Sequence, residues 1–250
     1  MVLMLAQAFE MPLRDRNAFL QAAGFAAMYR ETPLHAQPVG PVRDAIDLLL
    51  RSTEPYPAFL LNRRADILAT NETGQWLMAT FNEDIHSFAR PYNIGRLLTS
   101  PKGERKYIEN WEEIARLSLA RLRRDLGGAH ARDSADEELL RTIEPVWAKL
   151  AAPPAVPESL PALITVRFRR EDLALNLFSI HAALGTQRDV TLQEVRVEMF
   201  FPADEPSKRL LERRASHTNH GALRAAAPQR SARRKATRMS NAARRKPVRG

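Results

Sequence analysis

The sequence predicts an α+β fold: about five antiparallel strands with helices on one face, preceded by two short helices. Three observations carry this. Five short segments, residues 58–62, 66–70, 163–169, 173–183 and 191–201, have strand character, and the last three alternate two sets of side chains at a period of two. The connections joining neighbouring segments are short, which suits antiparallel pairing. Segments of helical periodicity lie before and between them, so sheet and helices must share one core.

The elements follow in chain order. Residues 2–9 place Val2, Leu5 and Phe9 on one helical face, with Leu3 and Ala6 beside them. Met11-Pro12 interrupts the run, because the residue before proline disfavours helix. A second short helix follows, with Leu13, Phe19 and Leu20 inward, and it ends near Gly24. Residues 35–41 read as a linker rich in Pro and Gly. Val42, Ile46, Leu49 and Leu50 mark an amphipathic helix that ends near Arg51. Ala58–Asn62 and Asp66–Thr70 form a hairpin-like pair, and Asn71 is placed to cap a helix over Thr73–Phe81.

Residues 82–103 read as loop with short helical turns. Residues 104–126 carry the clearest helical pattern, with Trp111, Ala115, Leu119, Leu122 and Leu126 on one stripe and Gly127-Gly128 after it. Glu137–Leu150 is a further helix, bent at Pro145, and the proline-rich residues 151–161 form a linker or edge loop. Leu163–Arg169, Leu173–Ala183 and Thr191–Phe201 complete the sheet, with Pro202 ending the last strand.

Composition narrows the function classes. There is no cysteine in 250 residues, which excludes disulfides, thiolate nucleophiles and cysteine-zinc sites and suits a cytoplasmic setting. No apolar run approaches the roughly 18 residues of a membrane span. The net charge of +9 is unevenly placed. Twelve Arg or Lys and no Asp or Glu lie at residues 213–250, which leaves residues 1–212 near −3. The predicted organisation is therefore a helical segment 1–34, a body 35–212 and a basic disordered tail 213–250.

Residues 11–33 (MPLRDRNAFLQAAGFAAMYRETP), 56–71 (YPAFLLNRRADILATN), 109–125 (ENWEEIARLSLARLRRD) and 184–202 (LGTQRDVTLQEVRVEMFFP) resemble helix-turn-helix transcriptional regulators with an MmyB-like ligand-binding domain. The resemblance covers about residues 1–211. It implies a PAS-like sensor fold for residues 35–212 and a fatty-acid-like ligand. It also implies that residues 1–34 are the C-terminal remnant of a DNA-binding domain whose earlier helices, with the recognition helix, are absent. The function expected on these grounds is a transcriptional regulator, or a truncated form of one, that senses a small apolar ligand. The competing expectation is a stand-alone ligand-binding or dimerisation module with no specific DNA binding.

Site candidates follow from residue chemistry. The six histidines have no metal-ligand spacing, and no phosphate loop, dinucleotide fingerprint or serine elbow is present, so neither metal, cofactor nor catalysis is expected. Trp76, Phe81, Trp111 and Phe178 are candidates to line an apolar cavity, with His181 as its polar anchor. For each of these the plainer alternative is core packing. In the tail, Arg233, Arg234, Lys235, Arg238, Arg244, Arg245 and Lys246 are candidates for nonspecific phosphate contact. The candidate partners are thus a small apolar ligand, DNA held weakly, and a second copy of the chain.

Overall fold

The computed structural model describes residues 1–34, 36, 40–127, 132–150, 163–184 and 188–226, with side-chain surroundings through residue 216. Its strands are β1 (Ala58–Leu61), β2 (Ile67–Thr70), β3 (Val166–Arg170), β4 (Leu173–Ala183) and β5 (Arg196–Pro202). They form one sheet in the order β2-β1-β5-β4-β3. Every adjacent pair is antiparallel. The α+β class, the five strands and the PAS-like arrangement expected from the sequence are all observed.

Register decides what each face holds. Phe59 of β1 pairs with Glu198 of β5, and His181 of β4 also pairs with Glu198. Side chains alternate across a strand, so Phe59, Leu61, His181, Arg196, Glu198 and Phe200 share one face. That face meets helices α4 (Glu72–Thr80), α5 (Ile94–Thr99) and α6 (Trp111–Asp125). Helix α3 (Gly40–Ser52) takes the other face, where Ile46 and Leu50 pack on Ala58, Leu60, Val195 and Val197, so the helices are not confined to one face as the sequence predicted: both faces of β1 and β5 carry apolar residues that need cover.

The helices are set by local chemistry and by a shared core. Asn71 caps α4 as predicted, its Oδ1 accepting from Gly74 N at 2.9 Å and from Ala58 N at 3.0 Å. The predicted stripe of α6 is buried, and Ala115, Leu119 and Leu122, with Leu126 just beyond its end, pack on Leu139, Ile143 and Leu150 of α7 (Ser134–Leu150). Each such leucine contributes about 1.5–3 kcal/mol by leaving water. Pro145 lies inside α7.

Several boundaries differ from the sequence expectation: β3 starts at Val166 rather than Leu163, α7 starts at Ser134 rather than Glu137, and two differences are larger. The helix predicted over 104–126 starts at Trp111. Residues 107–109 spend their backbone groups on β3: Arg169 N donates to Tyr107 O at 2.7 Å, and Glu109 N to Arg167 O at 2.8 Å. A residue bonded to a strand in this way cannot also feed a helix. Likewise the strand predicted from Thr191 begins at Arg196. Asp189 caps a short helix α8 (Val190–Glu194), its Oδ1 accepting from Leu192 N at 3.3 Å.

Helices α1 (Val2–Ala8) and α2 (Leu13–Ala22) precede the sheet. Helix α2 docks through α8. Leu13 N donates to Gln193 Oε1 at 2.6 Å, Arg14 Nε to Glu194 Oε1 at 2.5 Å, and Val190 N to Arg30 O at 2.8 Å. Leu13 and Leu20 are buried, as expected, and Phe19 is half-buried. Helix α1 departs from expectation: Ala6 is its buried residue, while Leu5 and Phe9 are 42% and 72% exposed. A seven-residue helix rests on α2 along one narrow line, which leaves the rest of its circumference to solvent.

The chain divides into two units, residues 1–208 and 209–250. Helix α9 (Glu205–Ala226) begins in the first and runs into the second. Residues 213–226 are therefore helical, where composition predicted disorder. Ala, Leu and Arg have high helix propensity, which outweighs the scarcity of large apolar residues there. Tail residues 227–250, the linker at 151–161, and His35 with residues 37–39 of the first linker lie outside the described residues.

Candidate functional site

A cavity of about 380 Å³ lies between the sheet and helices α4–α6. Its volume falls in the lower part of the roughly 300–1,000 Å³ range typical of small-molecule sites. The sheet supplies Phe59 and Leu61 from β1, Phe200 from β5, Phe178 from β4 and Phe168 from β3. The helices supply Leu77 and Met78 from α4, Ile94 and Leu98 from α5, and Ile114, Leu117 and Leu122 from α6. One region of this apolar wall is polar. It holds Arg121 of α6, His181 of β4, Arg196 and Glu198 of β5, and Glu104 from the turn before α6. Gly103 fixes that turn, since a Cβ there would meet the Leu97 carbonyl oxygen at 2.1 Å.

Arg121 Nη1 lies 2.6 Å from His181 Nε2. A guanidinium can only donate, so Nε2 accepts and the neutral ring carries its proton on Nδ1. Burial and the positive charges of Arg121 and Arg196 lower His181 to about 4, which keeps the ring neutral at physiological pH. Glu198 Oε1 lies 3.4 Å from the same imidazole nitrogen, and Arg196 Nη1 lies 2.9 Å from Asp125 Oδ2. Burial raises the Glu198 carboxyl, against a Ser179 hydroxyl bond and the charges of Arg196 and Arg121. Glu104 is pushed up to about 7, first by burial and then by the charge of Glu198. Among the described residues, His181 Nδ1 and Arg196 Nε are buried donors without a hydrogen-bond partner.

Of the sequence-predicted residues, Phe178 and His181 line the cavity. Trp76, Phe81 and Trp111 do not. Phe81 is fully buried against the rings of Trp76, Tyr107 and Phe168. Trp111 donates its Nε1–H to Leu98 O at 2.7 Å and stacks under the Arg105 guanidinium. These rings build the wall behind the cavity lining, which is core packing. The tail cations at 233–246 lie outside the described residues.

Sequence reasoning missed Glu104, Arg121, Arg196 and Glu198. A signal existed for two of them. Arg196 and Glu198 alternate with Val197 and Met199, and a polar strand face reads as solvated unless helices are known to cover it. Among the described residues, no group of three or more His, Asp or Glu is arranged to hold a metal ion. None of the described helices is long and apolar enough to cross a membrane.

A curled antiparallel sheet closing on helices around an apolar cavity defines a small-molecule-binding module. The chain matches the family model described as the MmyB-like transcription regulator ligand binding domain over residues 42–213, and it belongs to that family. No curated protein matches it.

Proposed function

We propose that this chain is a transcription regulator whose cavity takes a medium- or long-chain acyl molecule of the fatty-acid type. The observation that carries the reading is the mainly apolar cavity of about 380 Å³ between sheet and helices. A ligand there touches β1, β4, β5 and α6 together, so occupancy biases their packing by whatever differential affinity it has for the alternative arrangements. Binding is the whole of the proposed role at this site, with no chemical step. Native mass spectrometry of protein purified without detergent is expected to show adduct mass, or to gain it with a fatty-acid panel. Absence of both an adduct and a thermal shift would remove the ligand from the reading.

Contact with DNA in this chain is proposed to be weak and indifferent to sequence, and to come from the basic C-terminal residues. Nine Arg or Lys lie at residues 227–250 without a single Asp or Glu. Such contacts act by counterion release, so retention of duplex in a gel shift is expected to fall steeply between 50 and about 200 mM salt. Deleting residues 227–250 is expected to abolish it. Preference for one operator over scrambled DNA at about 150 mM salt would show a reading element elsewhere.

A further inference from the structure

The cavity wall reaches solvent at one place among the described residues. Of the side chains that line it, Leu117 of α6 and Leu163 and Ile164 ahead of β3 are exposed, at 43%, 59% and 42%, and the others are buried or half-buried. A single exposed leucine means little, because apolar atoms make up much of any protein surface. These three share one cavity and are its exposed lining, so they form its mouth. An exposed apolar rim around an apolar cavity is a surface that meets something apolar.

The backbone explains why the mouth falls there. Asn110, at the start of α6, donates from Nδ2 to Thr165 O at 2.8 Å and accepts at Oδ1 from Arg167 N at 3.1 Å. Pairing of β3 with β4 begins at Val166, opposite Leu177. The chain is thus pinned to α6 and to the sheet from residue 165 onward, and Leu163 and Ile164 lie just ahead of those ties. On the facing side, α6 buries Ile114, Ala115, Leu119 and Leu122, and Leu117 stands on the rim. Both rims are therefore apolar. Arg121, one turn further along α6, has its guanidinium against His181 at 2.6 Å. An alkyl chain that passes Leu117, Leu163 and Ile164 displaces water from apolar side chains alone. A polar rim would first have to give up its own hydration.

From the exposed lining and the apolar rims we infer that Leu117, Leu163 and Ile164 form the port through which an acyl chain enters and leaves the cavity. This rests on the acyl-ligand reading above and assigns that ligand its route. A bulky group hung outside the port raises a barrier that entry and exit share. It slows association and dissociation by the same factor and leaves Kd unchanged. A group that competes for the bound position weakens Kd without slowing dissociation.

The chain has no cysteine, so a thiol introduced at one position is its sole thiol. The test uses the full chain, stripped of bound lipid, as Leu117→Cys and as Leu163→Cys. Each carries glutathione as a mixed disulfide, a polar group that stays in water and leaves on reduction with dithiothreitol. The probe is the neutral dye N-phenyl-1-naphthylamine, displaced by dodecanoate. Stopped-flow fluorescence is expected to show both rates of the dye falling about tenfold with glutathione in place, with Kd held within about twofold, and both recovering on reduction. Glutathione on Leu48→Cys, at a position 61% exposed on α3, is expected to change neither rate. Melting temperatures report whether each variant is folded. Unchanged rates in both port variants, or a slowing that Leu48→Cys reproduces, would overturn the port and leave the acyl-ligand reading standing. Weaker binding without slower dissociation would also overturn it. Dye that dodecanoate does not displace would overturn the acyl ligand, while the dye's rates still decide the port. Failure of both dye and dodecanoate to bind would overturn the two together.

Discussion

Asp136→Ala is expected to destabilise the protein by about 3–5 kcal/mol, the cost of stranding a buried charge. Asp136 is fully buried at the start of α7 and accepts from two arginines of the β1–β2 turn. Arg63, itself 5% exposed, donates to Oδ2, and Arg64 Nε donates to Oδ1 at 2.6 Å. The backbone N–H of Asp133 adds a third bond at 3.0 Å. Without the carboxylate, Arg63 keeps longer contacts among the described residues, to Glu194 at 3.6 Å and Asp133 at 3.7 Å. For a chain of this size the loss corresponds to a fall on the order of 10 °C in melting temperature. A fall under 2 °C would show that the pair is not the buried charge contact described. Replacing both partners, Arg63→Met with Asp136→Leu, is expected to recover most of the loss, because the charge and its penalty leave together.

The same network explains how distant segments are tied to the cavity. Glu194 is shared by Arg14 of α2 and Arg63 of the β1–β2 turn. Two residues further on, Arg196 lines the cavity. Ala65, in that turn with a φ of 60°, lines it too. The N-terminal helices and the ligand cavity therefore meet at one short stretch, α8 and the start of β5.

Much of the fold was legible because its signals are local. The period-two pattern of β4 and β5, the Asn71 cap and the α6 stripe depend on neighbours a few residues away, and each is observed. The misread boundaries had distant causes. Residues 107–109 leave the helix because β3, some sixty residues later, takes their backbone groups. Residues 190–194 coil because Asp189 caps them, and its carboxylate also accepts from Thr32 N at 3.1 Å. The site was less legible than the fold for the same reason. Large aromatic residues were the natural candidates for a cavity, yet Phe81 and Trp111 fill the layer behind it. Arg121 lies beside the buried α6 stripe, with Ile114, Leu117 and Ser118 on a second line of residues. That second line becomes visible only once the sheet is known to lie opposite.

Glu104→Gln is expected to stabilise the unliganded protein at pH 8 by about 2–3 kcal/mol. Each tenfold change in proton affinity is worth about 1.4 kcal/mol, and the total is reduced because water reaches part of the side chain. The carboxyl is pushed up to about 7 from an ordinary value of 4.5. Its charged form is thus disfavoured in the folded state. Between pH 4.5 and 7 the unfolded chain releases this proton while the folded chain keeps it, so stability declines as pH rises through that window. Above pH 7 the whole penalty is present, and below 4.5 it is absent. Glutamine keeps the shape and cannot ionise, so the variant's advantage should be full at pH 8 and gone by pH 4.5. His181 works in the other direction, losing stability as pH falls from 6.5 towards about 4. That loss is common to both proteins and cancels in their difference. Denaturant unfolding of the two proteins at pH 4.5, 6 and 8 measures the gap directly. Equal stabilities at pH 8 would mean that Glu104 is solvated in the folded chain. A gap that opens with pH as described would mean that the protein holds a costly carboxyl against its own cavity, a cost that folding alone gives it no reason to keep.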